Sequence, residues 1–197
     1  MVLASASPRR LELLRAAGAS VMVEPSRFDE SSVRDLSPRA QALVAARGKA
    51  VDVAARRPHS LVVGADTVVA LGQRALGKPR DDRDAVAMLK SLGGRDHQVH
   101  SAVCLVAPGG RRVSGLSSSV VRFAPLSPER IRAYVAGGEP NGKAGAYAIQ
   151  GQAAEFAHVV RGRRDTVIGL STRLLLRLLR QIEDPIAKTL SDNLDPS

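Results

Sequence analysis

Asp66 is the residue of this 197-residue chain whose position most strongly indicates chemistry. It lies in the run VVGADTVV, where its neighbours are apolar or small. A carboxylate inside such a strand is unfavourable unless it is paired, bound to a metal or placed at a cleft. The structural alternative is an aspartate whose oxygens accept backbone N–H groups at a bend in the strand. Gly64, two residues earlier, would permit a β-bulge that aims the carboxylate outward.

Glu30 and Lys78 become candidate site residues when they are considered together with Asp66. Glu30 lies in a polar loop and on its own is typical of solvated surface. Two carboxylates from separate loops commonly hold Mg²⁺ or Mn²⁺ beside phosphates, so Glu30 and Asp66 form a candidate metal pair. Lys78 stands between glycine and proline in LGKPRD, which fixes its backbone and suits a positioned phosphate contact. An ordinary solvated loop lysine is the alternative there.

The N-terminal stretch VLASASPRRLELLR indicates an anion site. A short apolar strand leads into a helix for which Ser7 is a good N-cap and the following proline suits the first helical position. The helix start offers free N–H groups, and Arg9 and Arg10 add positive charges that oppose the helix dipole unless an anion is bound. Because Ser-Pro also begins predicted helices at 37–38 and 127–128, a plain N-cap stays the alternative.

Composition limits the class of protein. The chain is 44% hydrophobic and 24% charged, which suits one soluble domain, or one domain with two lobes. No apolar run approaches the roughly 20 residues that cross a bilayer, and no signal peptide is recognisable, so we expect a cytoplasmic protein without membrane contact. The single cysteine, Cys104, lies in an apolar run and is expected to be buried filler.

The formal net charge of +10 favours an anionic partner. The positive residues are spread along the chain, and aromatic residues make up only 3% of it, so stacking platforms for single-stranded nucleic acid are scarce. We therefore expect no nucleic-acid partner. A basic nucleic-acid-binding module is nevertheless the main alternative to an enzyme, although it leaves Asp66 unexplained.

Alternating strands and helices predict an α/β fold around a mixed sheet. The predicted strands are 2–4, 20–24, 61–69, 98–107, 112–123 and 153–160, and the predicted helices are 8–17, 38–57, 81–92, 127–136 and 168–182. We expect residues 1–183 to form a single α/β domain and 184–197 to be a flexible polar tail. His97 and His100 are three apart in a predicted strand and point to opposite faces, which makes them structural rather than a metal pair.

Taken in order, these stretches resemble the Maf family of nucleoside triphosphate pyrophosphatases. The matching pieces are LASASPRRLELL, Glu30, VVGADTVV, LGKPRD, GEP, KAGAYAIQG and VIGL, which extend from residue 2 to about residue 180. The resemblance implies an elongated mixed sheet flanked by helices, with two lobes and a central cleft, related to the inosine triphosphatase architecture and usually dimeric. It also implies a cytoplasmic house-cleaning hydrolase that splits the α–β phosphate bond of a nucleotide with a divalent cation, Mg²⁺ or Mn²⁺.

The resemblance assigns roles to individual residues. The residues that match the family's phosphate-binding positions are Ser7, Arg9, Arg10 and Lys49. Asp66 matches the acid that acts as base or metal ligand, Glu30 a second acid near the metal, and Lys78 the lysine of the catalytic GKP loop. Gln150 matches the base-binding glutamine of a motif that marks the branch resembling dTTP and UTP pyrophosphatases rather than the 7-methyl-GTP branch.

Three departures from the family pattern bear more on base selectivity than on the type of reaction. Gly142 stands where Asp is usual, Ala148 where Gly is usual, and residues 162–166 replace an aromatic-containing turn. The type of reaction that the resemblance implies stays the same. A triphosphate carries about four negative charges, which arginines, Lys78 and a metal neutralise. Asp66 orients or deprotonates the attacking water. The family is named for an effect on septum formation, so a regulatory role in cell division is a third hypothesis.

Overall fold

A seven-stranded mixed sheet forms the centre of the protein in the computed structural model, which describes residues 1–194. Its strands are β1 (Val2–Leu3), β2 (Met22–Val23), β3 (Val62–Leu71), β4 (Arg74–Leu76), β5 (Asp96–Val106), β6 (Arg112–Phe123) and β7 (Ala157–Arg161). β1 is parallel to both β2 and β3, whereas β3, β5, β6 and β7 follow one another antiparallel and β4 forms a hairpin with β3. The predicted mixed α/β fold is therefore confirmed.

Helices flank this sheet. They are α1 (Pro8–Ala16), α2 (Pro38–Arg56), α3 (Asp82–Leu92), α4 (Pro128–Ala136), α5 (Arg164–Ile168), α6 (Thr172–Gln181) and α7 (Ile186–Leu194). Three short 3₁₀ turns, Glu30–Val33, Ala144–Ala146 and Gln152–Glu155, lie in the connections. Among residues 1–194, no helix combines the length and the apolar composition that a membrane span requires.

α2 packs directly onto β3 because Gly64 has no side chain. A Cβ atom at Gly64 would lie 2.3 Å from the carbonyl oxygen of Ala46 and 2.7 Å from the Cβ of Ala50. The pairing of β3 with β5 runs through Gly64 without a register shift, so the β-bulge that Gly64 would permit is not formed there. Gly64 instead permits the close approach of a helix backbone, which is the other common use of glycine in a strand.

The apolar core is divided between the two faces of the sheet and one of its ends. Leu14 of α1 and Leu175 of α6 pack with Val63 on one face, whereas the alanines of α2 cover the other. A separate cluster at the far end of the sheet joins α3, α4 and the second half of β6, with Phe123 buried in it. The site described below lies where these clusters meet.

The predicted helix over 168–182 is shorter in the structure: α6 covers Thr172–Gln181, and of the first four predicted residues only Ile168 is helical, as the last residue of α5. α5 ends at Ile168, Gly169 adopts a φ of 138°, and α6 begins after Ser171. The break is stabilised on both sides, because the Ser171 hydroxyl accepts a hydrogen bond from the Leu174 N–H and the Gly169 carbonyl accepts one from Arg10.

The C-terminal segment also differs from its prediction. α7 occupies Ile186–Leu194, within the stretch 184–197 for which we expected a flexible tail. Leu190 is fully buried in the cluster that contains α6, so this part of the segment contributes an apolar anchor to the core. Residues 195–197 of the predicted tail lie outside the described residues. The predicted strand 153–160 begins only at Ala157, after a 3₁₀ turn.

Candidate active site

A cleft of about 780 Å³ brings together the residues that the sequence singled out. Its walls come from the N-terminal stretch, the 3₁₀ turn at Glu30, α2, β3, the loop after β4 and the segment before β7. The predicted site residues that line it are Ser7, Arg9, Arg10, Glu30, Lys49, Asp66, Lys78 and Gln150. The structure places all of them in one cavity, while their individual roles stay predictions.

Lys49 joins the two acids at the centre of the cleft. Its Nζ lies 2.7 Å from Asp66 Oδ1 and 2.6 Å from Glu30 Oε1. The lysine and Asp66 are largely buried, with side-chain exposures of 9% and 13%, whereas Glu30 is 55% exposed. The buried carboxylate in the apolar strand is thus paired with a cation, one of the arrangements that its sequence context predicts. Lys49 was expected to contact phosphate, and in the structure the groups that pair with its Nζ are the carboxylates of Asp66 and Glu30.

The position of Lys49 is a consequence of the close packing at Gly64. Residues 64 and 66 point to the same face of β3, the face that α2 covers. With no side chain at Gly64, α2 lies close enough for a lysine on its buried side to reach Asp66. The ion pair therefore depends on a residue that carries no functional group.

The electrostatics of the cleft keep Glu30 ionised. Burial by itself would raise the pKa of Glu30, but the hydrogen bond and charge of Lys49, together with the charges of Lys78 and Arg10, outweigh burial and lower that pKa below its ordinary value. The carboxylate therefore carries its charge at neutral pH and is available to a cationic ligand.

The donor set fits a divalent cation held jointly with a substrate. Lys49 occupies one oxygen of each carboxylate, and within residues 1–194 the second oxygen of Glu30 and of Asp66 has no hydrogen bond. The described residues contain no group of three or more His, Cys, Asp or Glu side chains that could hold a metal by themselves. Mg²⁺ characteristically takes one or two carboxylates and completes its shell with water and substrate phosphates.

The N-terminus of α1 presents an open anion site to the cleft. Ser7 is the N-cap residue by position, but its hydroxyl makes no capping hydrogen bond, whereas Ser127 at the start of α4 accepts one from the Arg130 N–H. The N–H groups of the first turn of α1 are therefore left to bind a ligand. Ser37 at the start of α2 also makes no capping hydrogen bond, so the plain cap and the anion site both stay predictions for Ser7; the position of Ser7 in the wall of the cleft is what supports the anion site.

Arg10 is fixed in the wall of the cleft by three hydrogen bonds. Its Nε donates to the Gly169 carbonyl at 3.0 Å, and its two terminal nitrogens donate to Ser5 Oγ at 2.9 Å and Thr67 Oγ1 at 3.2 Å. Burial lowers the pKa of Arg10, although the attraction of Asp66 opposes that effect. A guanidinium has five N–H groups, so two remain for phosphate oxygens. Arg10 thus both ties α1 to β3 and leaves donors for a ligand.

The opposite end of the cleft is formed by the segment that carries Gln150. Gly145 N–H donates to the Gly77 carbonyl at 3.0 Å, which connects this segment to the loop of Lys78. The Gln150 side chain is exposed and lines the cleft, together with Ala148 and other residues of the segment. The cleft therefore carries cationic groups near α1 and in the loop of Lys78, and an uncharged amide at Gln150.

Sequence reasoning missed several residues of this site. Arg34 and Arg80 also line the cleft. Arg80 could have been predicted, because it belongs to the same LGKPRD stretch as Lys78. Arg34 belongs to none of the motifs, so the sequence did not indicate it. Thr67, which follows Asp66, was overlooked as a neighbour although its hydroxyl accepts from Arg10.

Two residues predicted to be structural lie away from the cleft. His97 is buried, and its Nε2 is hydrogen-bonded to the Tyr147 hydroxyl at 2.9 Å. Burial lowers the pKa of His97 to about 4, so the ring is neutral at physiological pH. Cys104 is buried, and burial raises the pKa of its thiol to about 11, which confirms it as filler.

Comparisons with known proteins agree with the motifs. The family model described as "Maf-like protein" matches residues 1–182. A protein of Caulobacter vibrioides named "dTTP/UTP pyrophosphatase" is 45% identical over 180 residues, 91% of this chain and 93% of the relative. One of the same name from Novosphingobium aromaticivorans is 46% identical over 181 residues, 91% and 90% of the two chains. Among solved structures, the Staphylococcus aureus Ham1 protein matches with a TM-score of 0.46 and 14% identity, covering 92% of this chain and 98% of that one.

Proposed function

The chain belongs to the Maf-like protein family, and on that premise we propose that it is a nucleoside triphosphate pyrophosphatase acting on dTTP and UTP. It hydrolyses the bond between the α and β phosphates and yields the monophosphate and pyrophosphate. Relatives of that name share 45% and 46% of their residues with it over nine-tenths of its length. The single structural observation that carries the proposal is the Glu30–Lys49–Asp66 cluster inside a cationic cleft.

Asp66 is the general base that orients and deprotonates the attacking water. Lys49 fixes one carboxylate oxygen of Asp66 by a hydrogen bond of 2.7 Å and leaves the other oxygen to face a ligand. A water bound to that oxygen is oriented towards phosphorus and gives up its proton to the carboxylate as its oxygen bonds to phosphorus. The bond between phosphorus and the bridging oxygen breaks in the same displacement, and pyrophosphate leaves.

Cationic and N–H groups neutralise the phosphate charge that repels this attack. The open N-terminus of α1 with Ser7, the guanidinium groups of Arg9 and Arg10, and the ammonium of Lys78 serve this purpose from two sides of the cleft. Fixed donors stabilise the developing charge without reorganisation, which is why the three hydrogen bonds that hold Arg10 matter. A divalent cation bound by Glu30 and Asp66 would add charge neutralisation at the phosphate oxygens.

The nucleobase end of the substrate lies at Gln150. An amide group can donate and accept a hydrogen bond, so it can distinguish bases by their edge groups. We also propose that the protein acts in the cytoplasm as a homodimer, as the family resemblance implies. Light scattering of the purified protein measures the dimer directly, and a mass of one chain contradicts it.

A panel of nucleoside triphosphates tests the proposed function. Each is incubated with the protein and Mg²⁺ or Mn²⁺, and pyrophosphate and inorganic phosphate are measured separately. The proposal expects pyrophosphate without inorganic phosphate, with dTTP and UTP the best substrates. If no nucleotide in the panel releases pyrophosphate, the proposed function is contradicted and a nucleic-acid-binding protein is favoured. Salt-dependent binding to duplex DNA then tests that alternative.

A further inference from the structure

The loop that carries Gln150 is held by side chains that do not line the cleft. We define the Gln150 loop as residues 147–153. Glu139, Tyr134 and Arg164 contact its main chain, and none of the three is among the residues that line the cleft. These side chains therefore have no direct use for a bound nucleotide, and the proposed function leaves them unexplained.

Glu139 binds the C-terminal end of the loop with its carboxylate. Oε2 accepts the N–H of Gln152 at 2.7 Å, and Oε1 accepts the N–H of Ala153 at 3.2 Å. Burial would raise the pKa of Glu139, but these two bonds and the hydroxyl of Tyr134 lower it, so the acceptor is ionised. Hydrogen bonds to an ionised acceptor are stronger than neutral ones.

The same carboxylate is connected to the N-terminal end of the loop through Tyr134. The tyrosine hydroxyl donates to Glu139 Oε1 at 2.7 Å and accepts the Ala148 N–H at 3.4 Å. Positions 148, 152 and 153 are thus tied to one anionic centre, with Gln150 between them. A Cβ at Gly151 would lie 2.2 Å from Glu139 Oε2, so the loop follows the carboxylate as closely as its backbone allows.

Arg164 holds the loop from the other side. Its terminal nitrogen donates to the Ile149 carbonyl, next to Gln150, at 2.7 Å. Arg164 lies in residues 162–166, the turn that departs from the family pattern. The adjacent Arg163 is also exposed, but its side chain pairs with Asp165 and makes no hydrogen bond to the loop among the described residues. The two neighbours thus offer a matched comparison.

We propose that Glu139, assisted by Arg164, is a positioning residue for nucleobase selection: it fixes the main chain on both sides of Gln150 so that the glutamine amide meets the base in one orientation. The inference rests on the proposed function, because it assigns the Gln150 end of the cleft to the base. Selection by hydrogen bonds requires donors and acceptors held in fixed places, and a small displacement removes most of their discrimination.

UTP and CTP provide the test, since their bases differ only at positions 3 and 4: uracil has an N3–H and a C4 carbonyl oxygen, whereas cytosine has an unprotonated N3 and a C4 amino group. For the wild type and for Glu139→Gln, Arg164→Met and Arg163→Met, the ratio of kcat/KM for UTP to that for CTP is measured. Glu139→Gln replaces one carboxylate oxygen by an amide nitrogen, so at least one loop N–H loses its acceptor. The inhibition constant of tripolyphosphate, which has no base, is measured for the same proteins and reports the phosphate end alone.

The inference expects the UTP-to-CTP ratio to fall about tenfold in Glu139→Gln, equivalent to about 1.4 kcal/mol, and by a smaller factor in Arg164→Met. In Arg163→Met the ratio stays at the wild-type value, and tripolyphosphate inhibits all four proteins alike. A purely structural role lowers the rates for both nucleotides equally and leaves the ratio unchanged, which overturns the inference. If Glu139→Gln does not fold, the exposed Arg164→Met decides by the same criterion.

Failure of the inference is distinguishable from failure of the proposed function. A wild type that releases pyrophosphate and prefers UTP, with variants that keep its ratio, overturns only the inference. A wild type that turns over UTP and CTP equally also overturns it. A wild type that releases no pyrophosphate from any nucleotide overturns the proposed function and the inference with it.

Discussion

Replacing Lys49 by methionine removes the cation that two carboxylates share and leaves a side chain of similar length. The oxygens of Glu30 and Asp66 that bind Nζ lie within 2.7 Å of the same atom, so they are at most about 5 Å apart. Without the ammonium, two negative charges face each other across that distance. Glu30 is then expected to bind a proton at a higher pH than in the wild type.

The size of the effect follows from the separation. Two unit charges about 5 Å apart repel by about 3 kcal/mol at an effective dielectric constant of about 20. The Glu30 side chain is 55% exposed, so solvent screening reduces this energy to about 1–2 kcal/mol. Because Lys49 helps to lower the pKa of Glu30 in the wild type, its loss acts in the same direction as the repulsion.

The assay is the pH profile of kcat/KM for pyrophosphate release from UTP. In Lys49→Met the acidic limb of the profile moves to higher pH, since the Glu30 carboxylate binds a proton at a higher pH than in the wild type. Lys78→Met is the matched control: it removes a charge from the same cleft but no hydrogen bond to either acid, so it lowers kcat/KM and moves the limb less. An acidic limb that stays in place in Lys49→Met, or moves equally in both variants, refutes the reasoning.

Two further predictions concern stability. Gly64→Ala places a methyl group against the Ala46 carbonyl and is expected to lower the free energy of unfolding by about 1–3 kcal/mol. Urea denaturation measures this change, and an unchanged free energy of unfolding contradicts the close packing of α2 at Gly64. The pKa of His97 is lowered to about 4 in the folded state, so below about pH 6.5 the unfolded state binds a proton that the folded state does not. The free energy of unfolding therefore falls by up to about 3 kcal/mol as the pH drops from about 6.5 to 4. In His97→Gln that fall should be smaller, and an identical pH dependence in both proteins excludes His97 as its source.

Much of this site was predictable because its residues carry local signals. Asp66 is conspicuous in an apolar strand, and Ser7 marks a helix start whatever the tertiary structure. The position of α2 at 38–57 was also predicted to within a residue, since its Ser-Pro start and helical spacing are properties of the local sequence.

The relationships between elements were not predictable in this way. Nothing in the sequence near Lys49 indicates Asp66 as its partner, because that contact depends on the depth to which α2 packs at Gly64. The bond from Arg10 to the Gly169 carbonyl joins residues that are far apart in the chain, and it uses a residue that the sequence placed inside a helix but that lies between α5 and α6. The burial of Leu190 likewise depends on an apolar surface formed elsewhere.

The most direct test of the central claim compares the products of dTTP hydrolysis by the wild type and by Asp66→Asn, with the fold of both checked by circular dichroism. The account predicts that the wild type yields dTMP and pyrophosphate in equal amounts and that Asp66→Asn, although folded, is at least about 100-fold slower, since a general base contributes about that much or more. Formation of dTDP and inorganic phosphate, or near-normal turnover by Asp66→Asn, would contradict it.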